Sequence, residues 1–159
     1  MTNLEKANNI LQRVINGLVA IILGALVLIV FSNVLGRYIF HSSLAWSEEI
    51  SRFLLIWMVL LGSISAYIND EHLGLDLLVK VLPKRLAQAV AVLGDILVIY
   101  ALGLLISGGY NMTVESWTWT SPATSTPYGY VYIMIPVAGT ILLIQALVKV
   151  FKHIKLLFV

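Results

Sequence analysis

Residues 14–36 read VINGLVAIILGALVLIVFSNVLG, 23 consecutive positions without a charge. At about 1.5 Å per residue, a helix of that length crosses roughly 30 Å, the thickness of a bilayer's hydrocarbon core. A secretory signal peptide has a shorter apolar region, about 7–15 residues, followed by a small-residue cleavage site. This run is longer and no such site follows, so the expectation is a retained helix. Strands of a transmembrane barrel alternate polar and apolar residues. Here the run is continuously apolar, which argues against a barrel.

The same reading extends along the chain. Residues 53–69 form a second charge-free run of 17, just long enough to span. A third runs from 86 to 114, interrupted only by Asp95, and a fourth ends at 148 after a Ser/Thr/Pro-rich opening. The prediction is a single membrane domain, 1–159, that is all-α, with four transmembrane helices at about 14–36, 53–69, 86–112 and 128–148.

Composition agrees. Of 159 residues, 60% are hydrophobic and 11% charged, and mean hydropathy is +0.95. Soluble domains carry about 25% charged residues. Ten basic and eight acidic side chains cannot cover the exterior of a soluble monomer. A net charge of +2 gives no electrostatic case for nucleic acid. With no cysteine, disulfides, thiolate metal sites and cysteine nucleophiles are excluded.

Positive charge sets the expected orientation. Lys6 and Arg13, then Lys80, Lys84 and Arg85, then Lys149, Lys152 and Lys155 fall on one side of the four spans. Arg37 and Arg52 fall on the other. Both termini are therefore expected in the cytoplasm. Trp46, Trp117, Trp119, Tyr128, Tyr130 and Tyr132 would then form an aromatic belt at the outer interface.

The outer segment 37–52, RYIFHSSLAWSEEISR, is predicted to start a helix at Glu48 and Glu49, capped by Ser47, with acidic groups at its positive end. Glu48 and Arg52, four apart, share a face. The cluster reads either as a solvated helix start or as a polar contact with a partner subunit. In the inner segment 70–85, DEHLGLDLLVKVLPKR, His72, Asp76, Lys80 and Lys84 recur every four residues among leucines and valines. That pattern suits a short amphipathic helix in the membrane interface, about 72–83, with a plain connecting loop as the other reading. The 115–127 loop, ESWTWTSPATSTP, is polar and irregular, and faces the side where a soluble partner could dock.

Chemistry inside the membrane is sparse. Asp95 is the one ionisable residue within a span, roughly 14 Å from a helix start at Leu86. It reads as an interfacial residue, a polar helix–helix contact, or a proton or ion site. His41, His72 and His153 lie outside the spans, which disfavours haem ligation. No nucleophile–histidine pair, metal cluster or phosphate loop stands out, so no enzyme activity, catalytic residue, metal or cofactor is expected. Small residues four apart (Ala20/Gly24, Ser32/Gly36, Gly62/Ala66, Gly103/Ser107) suggest close packing against other helices. Pro136 could kink the fourth helix.

RYIF at 37–40, AWSEEISRFLLIWMVLLGS at 45–63, HLGLDLL at 72–78 and SPATSTPYGYVYIMIPVAG at 121–139 together resemble the small membrane subunit, DctQ or SiaQ type, of tripartite ATP-independent periplasmic (TRAP) transporters. The resemblance covers nearly the whole chain, and Trp-x-Glu-Glu-x-x-Arg is its most telling element. It implies an accessory scaffold in the bacterial inner membrane, stably paired with a large transport subunit that carries substrate with sodium. It also implies transient docking of a periplasmic substrate-binding protein, with an organic acid such as sialic acid (N-acetylneuraminate) or a C4-dicarboxylate as cargo. Membrane lipids are the remaining partners. Under the resemblance Arg37, Trp46, Glu48, Glu49 and Arg52 become partner-interface or folding residues, and His72 and Asp76 anchors of the interfacial segment. The competing reading is an autonomous homo-oligomeric carrier coupled to ions through Asp95.

Overall fold

The computed structural model describes residues 3–39, 41–42, 44–68 and 84–157. Among the described residues there are five helices: α1 (Asn3–Ile39), α2 (Ala45–Ile68), α3 (Lys84–Glu115), α4 (Gly129–Tyr132) and α5 (Met134–Leu157). A 3₁₀ turn, Ser116–Thr118, follows α3. Four stretches are long and apolar enough to cross a membrane: Asn8–Ile39, Ala45–Ile68, Val92–Thr118 and Gly129–Val150. The described part is thus all-helical with four spanning helices, as expected. The interfacial segment 72–83, with His72 and Asp76, lies outside the described residues.

α2 packs on both α1 and α5, and α5 packs on α3, while α1 and α3 do not meet among the described residues. The helices therefore form an open row, α1–α2–α5–α3, rather than a closed ring. Ile15 of α1, Leu61 and Ile64 of α2, and Met134 and Ala138 of α5 make the common core. Ile64 and Ala138 are completely buried. Only 6% of the most apolar stretch of the first span is buried, against 28% in the last.

Lipid is as apolar as leucine, so dispersion contacts and polar ties must hold such helices together. Three asparagines of α1 provide ties. Asn8 Oδ1 accepts from Gln145 Nε2 of α5 at 3.0 Å. Asn16 Oδ1 accepts from the Ser65 hydroxyl of α2 at 2.6 Å. Asn33 Oδ1 accepts from the Leu44 amide at 3.0 Å, just ahead of α2. The turn between α1 and α2 is closed by the Ser42 amide donating to the Gly36 carbonyl at 3.1 Å, with His41 in the left-handed region at φ 51°.

Within the chain, close helix approach occurs at two other glycines. A Cβ on Gly109 of α3 would meet Ile135 at 2.6 Å, and one on Gly139 of α5 would meet Ile106 at 2.9 Å. These glycines let α3 and α5 touch. Gly24, Gly62 and Gly103, expected to pack helices together, have nothing within 4 Å. They lie on faces that the chain itself leaves open. Pro136 acts in the first turn of α5. Lacking an N–H, it cannot donate to the Tyr132 carbonyl, and the helix breaks at Ile133 between α4 and α5.

Candidate functional site

The charged start of α2 and the 119–128 loop come together at one end of the row. α2 begins at Ala45, three residues before the acidic pair. Asn33 holds the Leu44 amide, which fixes the entry to the helix early. Ser47 is therefore inside the first turn and is not its cap. Its hydroxyl donates back to the Leu44 carbonyl at 2.7 Å, and the residue is 1% exposed. This corrects the capping expectation.

Glu49 faces the loop. Its Oε1 accepts from the Ala123 amide at 3.0 Å, and its Oε2 from the Thr124 amide at 3.1 Å. The Ser121 hydroxyl also donates to Oε2, and the Thr124 hydroxyl stands 3.2 Å from that oxygen. Two successive backbone N–H groups and two hydroxyls converge on one carboxylate, the arrangement of an anion nest. Hydrogen bonds to an ionised acceptor are roughly twice as strong as neutral ones. The loop is internally closed as well. Ser121 donates to the Thr126 carbonyl at 2.9 Å and Ser125 to the Ser121 carbonyl at 2.8 Å. Thr120 and Pro127 form an antiparallel bridge, and the Tyr128 amide donates to Trp119 at 2.9 Å. Ser125 adopts φ 53°, the one left-handed residue the loop needs to reverse.

Aromatic rings fix the loop's base. Phe53 of α2 meets Tyr128 edge-on at 5.6 Å, and Tyr128 stacks on Tyr132 at 6.1 Å. The Trp57 indole N–H donates to the Val131 carbonyl at 3.2 Å, tying α2 to α4. Trp117 lies 4.9 Å from Tyr130. It also covers Gly129 so closely that a Cβ there would come within 1.9 Å of the indole. Trp119 stays 68% exposed and Tyr130 56%.

The remaining predicted residues divide into two groups. Glu48 and Arg52 are exposed and line a cleft of about 440 Å³ between α1 and α2, together with Asn33 and Ser51. No ion pair joins them among the described residues, although they share the face expected. Trp46 and Arg37 are exposed near the same end. Asp95 is half-buried in the first half of α3, away from this cluster. Sequence reasoning singled out Glu49 but missed Ser121, Ala123 and Thr124 as its donors. The signal was present in the hydroxyl-rich SPATST, a loop able to wrap a carboxylate.

Residues 26–156 match the family model described as tripartite ATP-independent periplasmic transporters, DctQ component. The chain is 33% identical over 94 residues to the C4-dicarboxylate TRAP transporter small permease protein DctQ of Vibrio cholerae, covering 59% of this chain and 40% of that protein. It is 24% identical to the sialic acid TRAP transporter small permease protein SiaQ of Vibrio cholerae, over 92% of this chain and 87% of that one. It is 26% identical to the isethionate TRAP transporter permease protein DctMQ of Oleidesulfovibrio alaskensis over 77% of this chain, which is 21% of that longer protein. The four apolar spans and the family match make this a multi-pass inner-membrane protein of transport. The chain belongs to the DctQ family, the small permease component of TRAP transporters.

Proposed function

We propose that this chain is the fixed support of a sodium-driven TRAP importer of an organic acid. It packs on the large transport subunit and presents the Glu49-held loop as part of the surface where the periplasmic binding protein docks. The observation that carries the reading is the open row of helices. α1 is bonded to its neighbours at three asparagines, yet most of the large apolar side chains along it are exposed, among them Ile21, Val27, Leu28 and Phe31. Open glycines on three helices (Gly24, Gly62, Gly103) suit the close approach of a foreign helix. The DctMQ relative, in which the matching segment is a fifth of a longer permease protein, supports a large membrane partner.

In this reading both termini are cytoplasmic and the loop is periplasmic. Arg37 and Trp46 contact the partners at the loop end, Glu49 shapes the docking loop, and His72 and Asp76 anchor the inner interfacial segment. The binding protein selects the cargo, sialic acid or a C4-dicarboxylate. The test is co-expression with the large-subunit gene, purification through a tag on this chain, and uptake in proteoliposomes. The two subunits are expected to purify together and to require the binding protein for uptake, with no transport by this chain alone. Transport by the chain alone, abolished by Asp95→Asn, would instead establish an autonomous carrier.

A further inference from the structure

The cleft between α1 and α2 has a polarity gradient along its length. At the loop end stand Glu48, Arg52, Asn33 and Ser51; toward the middle of the membrane the walls are Leu26, Val30 and Leu55. Asn33 and Leu26 are seven residues apart on α1, about 10 Å along the axis. The charged mouth thus sits roughly where headgroups end and the apolar walls run where acyl chains lie. The mouth is also chemically unsatisfied. Neither Glu48 nor Arg52 has an ion-pair partner among the described residues, and both are exposed. The Ser51 Oγ is buried with no hydrogen-bond partner. A helical serine or threonine commonly returns its hydroxyl to the carbonyl four residues back, as Ser63 does to Val59 and Thr113 to Gly109. Ser51 does not.

We infer that this cleft is a binding site for one phospholipid with a primary-amine headgroup, phosphatidylethanolamine in chemical class. Arg52 takes the phosphate, where a guanidinium offers a fork of donors to an anionic group. Glu48, one turn away, takes the ammonium. Ser51 lines the wall beside them, its hydroxyl oxygen closed off from the cleft itself. One acyl chain follows Val30, Leu26 and Leu55. Charge complementarity selects this occupant. An anionic headgroup alone would satisfy Arg52 and repel Glu48. A choline headgroup carries the positive charge but has no N–H to donate to the carboxylate. A hydrophobic helix from another chain would bury both charges unpaired, at considerable cost. The site is complete within this chain and does not depend on the transport role proposed above.

The test uses the full chain in mild detergent and in nanodiscs, with phosphatidylethanolamine, phosphatidylglycerol and phosphatidylcholine as probes and native mass spectrometry as readout. The native chain is expected to retain one phosphatidylethanolamine through delipidation that strips the annular lipids. Arg52→Gln should weaken retention roughly tenfold for all phospholipids, the effect of losing about one charge-assisted contact. Glu48→Gln should erase the preference for phosphatidylethanolamine over phosphatidylcholine while retaining lipid. Val30→Trp, which fills the apolar end and leaves both charges, should reduce occupancy whichever headgroup is offered. Circular dichroism and gel-filtration profiles matching the native chain show that each variant is folded. The inference is overturned if the native chain keeps no lipid after delipidation. Equal retention by Val30→Trp overturns it too. So does release of the lipid when the large subunit is co-expressed, because a partner helix then fills the cleft.

Discussion

The carboxylate of Glu49, just past the first turn of α2, accepts the hydroxyl of Ser121, which lies 72 residues further along the chain. Ser121 is 1% exposed, so the donor end of the bond is shielded while the half-buried Glu49 still meets solvent. Together with the amides of Ala123 and Thr124 it makes one side chain responsible for the shape of the loop. Replacing Glu49 by Ala leaves a nest of donors with no anion. A hydrogen bond to a charged group is worth about 1.5–3 kcal/mol. Amide hydrogen exchange at Ala123 and Thr124 should therefore accelerate by roughly tenfold or more, an effect of at least ~1.4 kcal/mol. Exchange at the same rate as in the native chain would show that the bridge Thr120–Pro127 and the turn bonds hold the loop unaided.

That pairing also marks the boundary of what the chain announces locally. The four spans are visible because lipid excludes charge, and an uninterrupted apolar run needs no knowledge of the fold. Helix ends are less visible. The run at 53–69 belongs to a helix that begins at Ala45, because Glu48, Glu49 and Arg52 end the lipid-facing stretch without ending the backbone's hydrogen bonding. On α1 the two sides are both apolar. Ile15 is buried and Ile21 is 70% exposed, and nothing in their chemistry separates them. The Glu49 site needed two segments far apart in sequence to be brought together, and no periodicity encodes that. The polar residues of α1 carried the information that hydrophobicity did not, since Asn8, Asn16 and Asn33 each make a tertiary bond.

The glycines separate by what surrounds them. Gly129→Ala would drive a methyl group into the Trp117 ring, and Gly109→Ala would press on Ile135. Overpacking of this kind costs about 1–3 kcal/mol. Gly24→Ala, Gly62→Ala and Gly103→Ala meet open space, and alanine's better helix propensity favours them by up to about 1 kcal/mol. Thermal unfolding in detergent should rank the first pair below the native chain and the other three at or above it. In the complex with a large subunit, a loss of stability confined to any of these three would identify the helix that the partner touches.

Trp57→Phe keeps an aromatic ring between α2 and α4, smaller than the indole, and removes the N–H that serves the Val131 carbonyl. The expected loss is about 1 kcal/mol. A small, reproducible fall in the unfolding midpoint would check it. A midpoint equal to that of the native chain would mean that another donor takes over the carbonyl.

The Asn16–Ser65 bond is open to a double-mutant cycle. Asn16→Ala and Ser65→Ala each remove one side of a 2.6 Å contact between α1 and α2. In membranes such interhelical hydrogen bonds couple by about 0.6 kcal/mol on average. The double variant should be less destabilised than the two single effects combined, by about that amount. Strict additivity would assign the pair to the exterior of the interface, where lipid headgroups or water replace it.

Orientation can be read directly, because the chain contains no cysteine and any thiol introduced is the only one present. Asn9 is exposed at one end of α1, and Ala123 is exposed in the Glu49-held loop at the other end of the row. Ala123→Cys keeps the backbone amide that binds Glu49, so the loop should keep its shape. Lys and Arg concentrate near Asn9, and the positive-inside rule predicts that this end is cytoplasmic. A membrane-impermeant maleimide should label Ala123→Cys in intact spheroplasts, and Asn9→Cys only after the membrane is opened. The reverse pattern would turn the loop to the cytoplasm and remove it from any periplasmic docking surface. Labelling of both thiols in intact cells would mean that the chain does not cross the membrane four times.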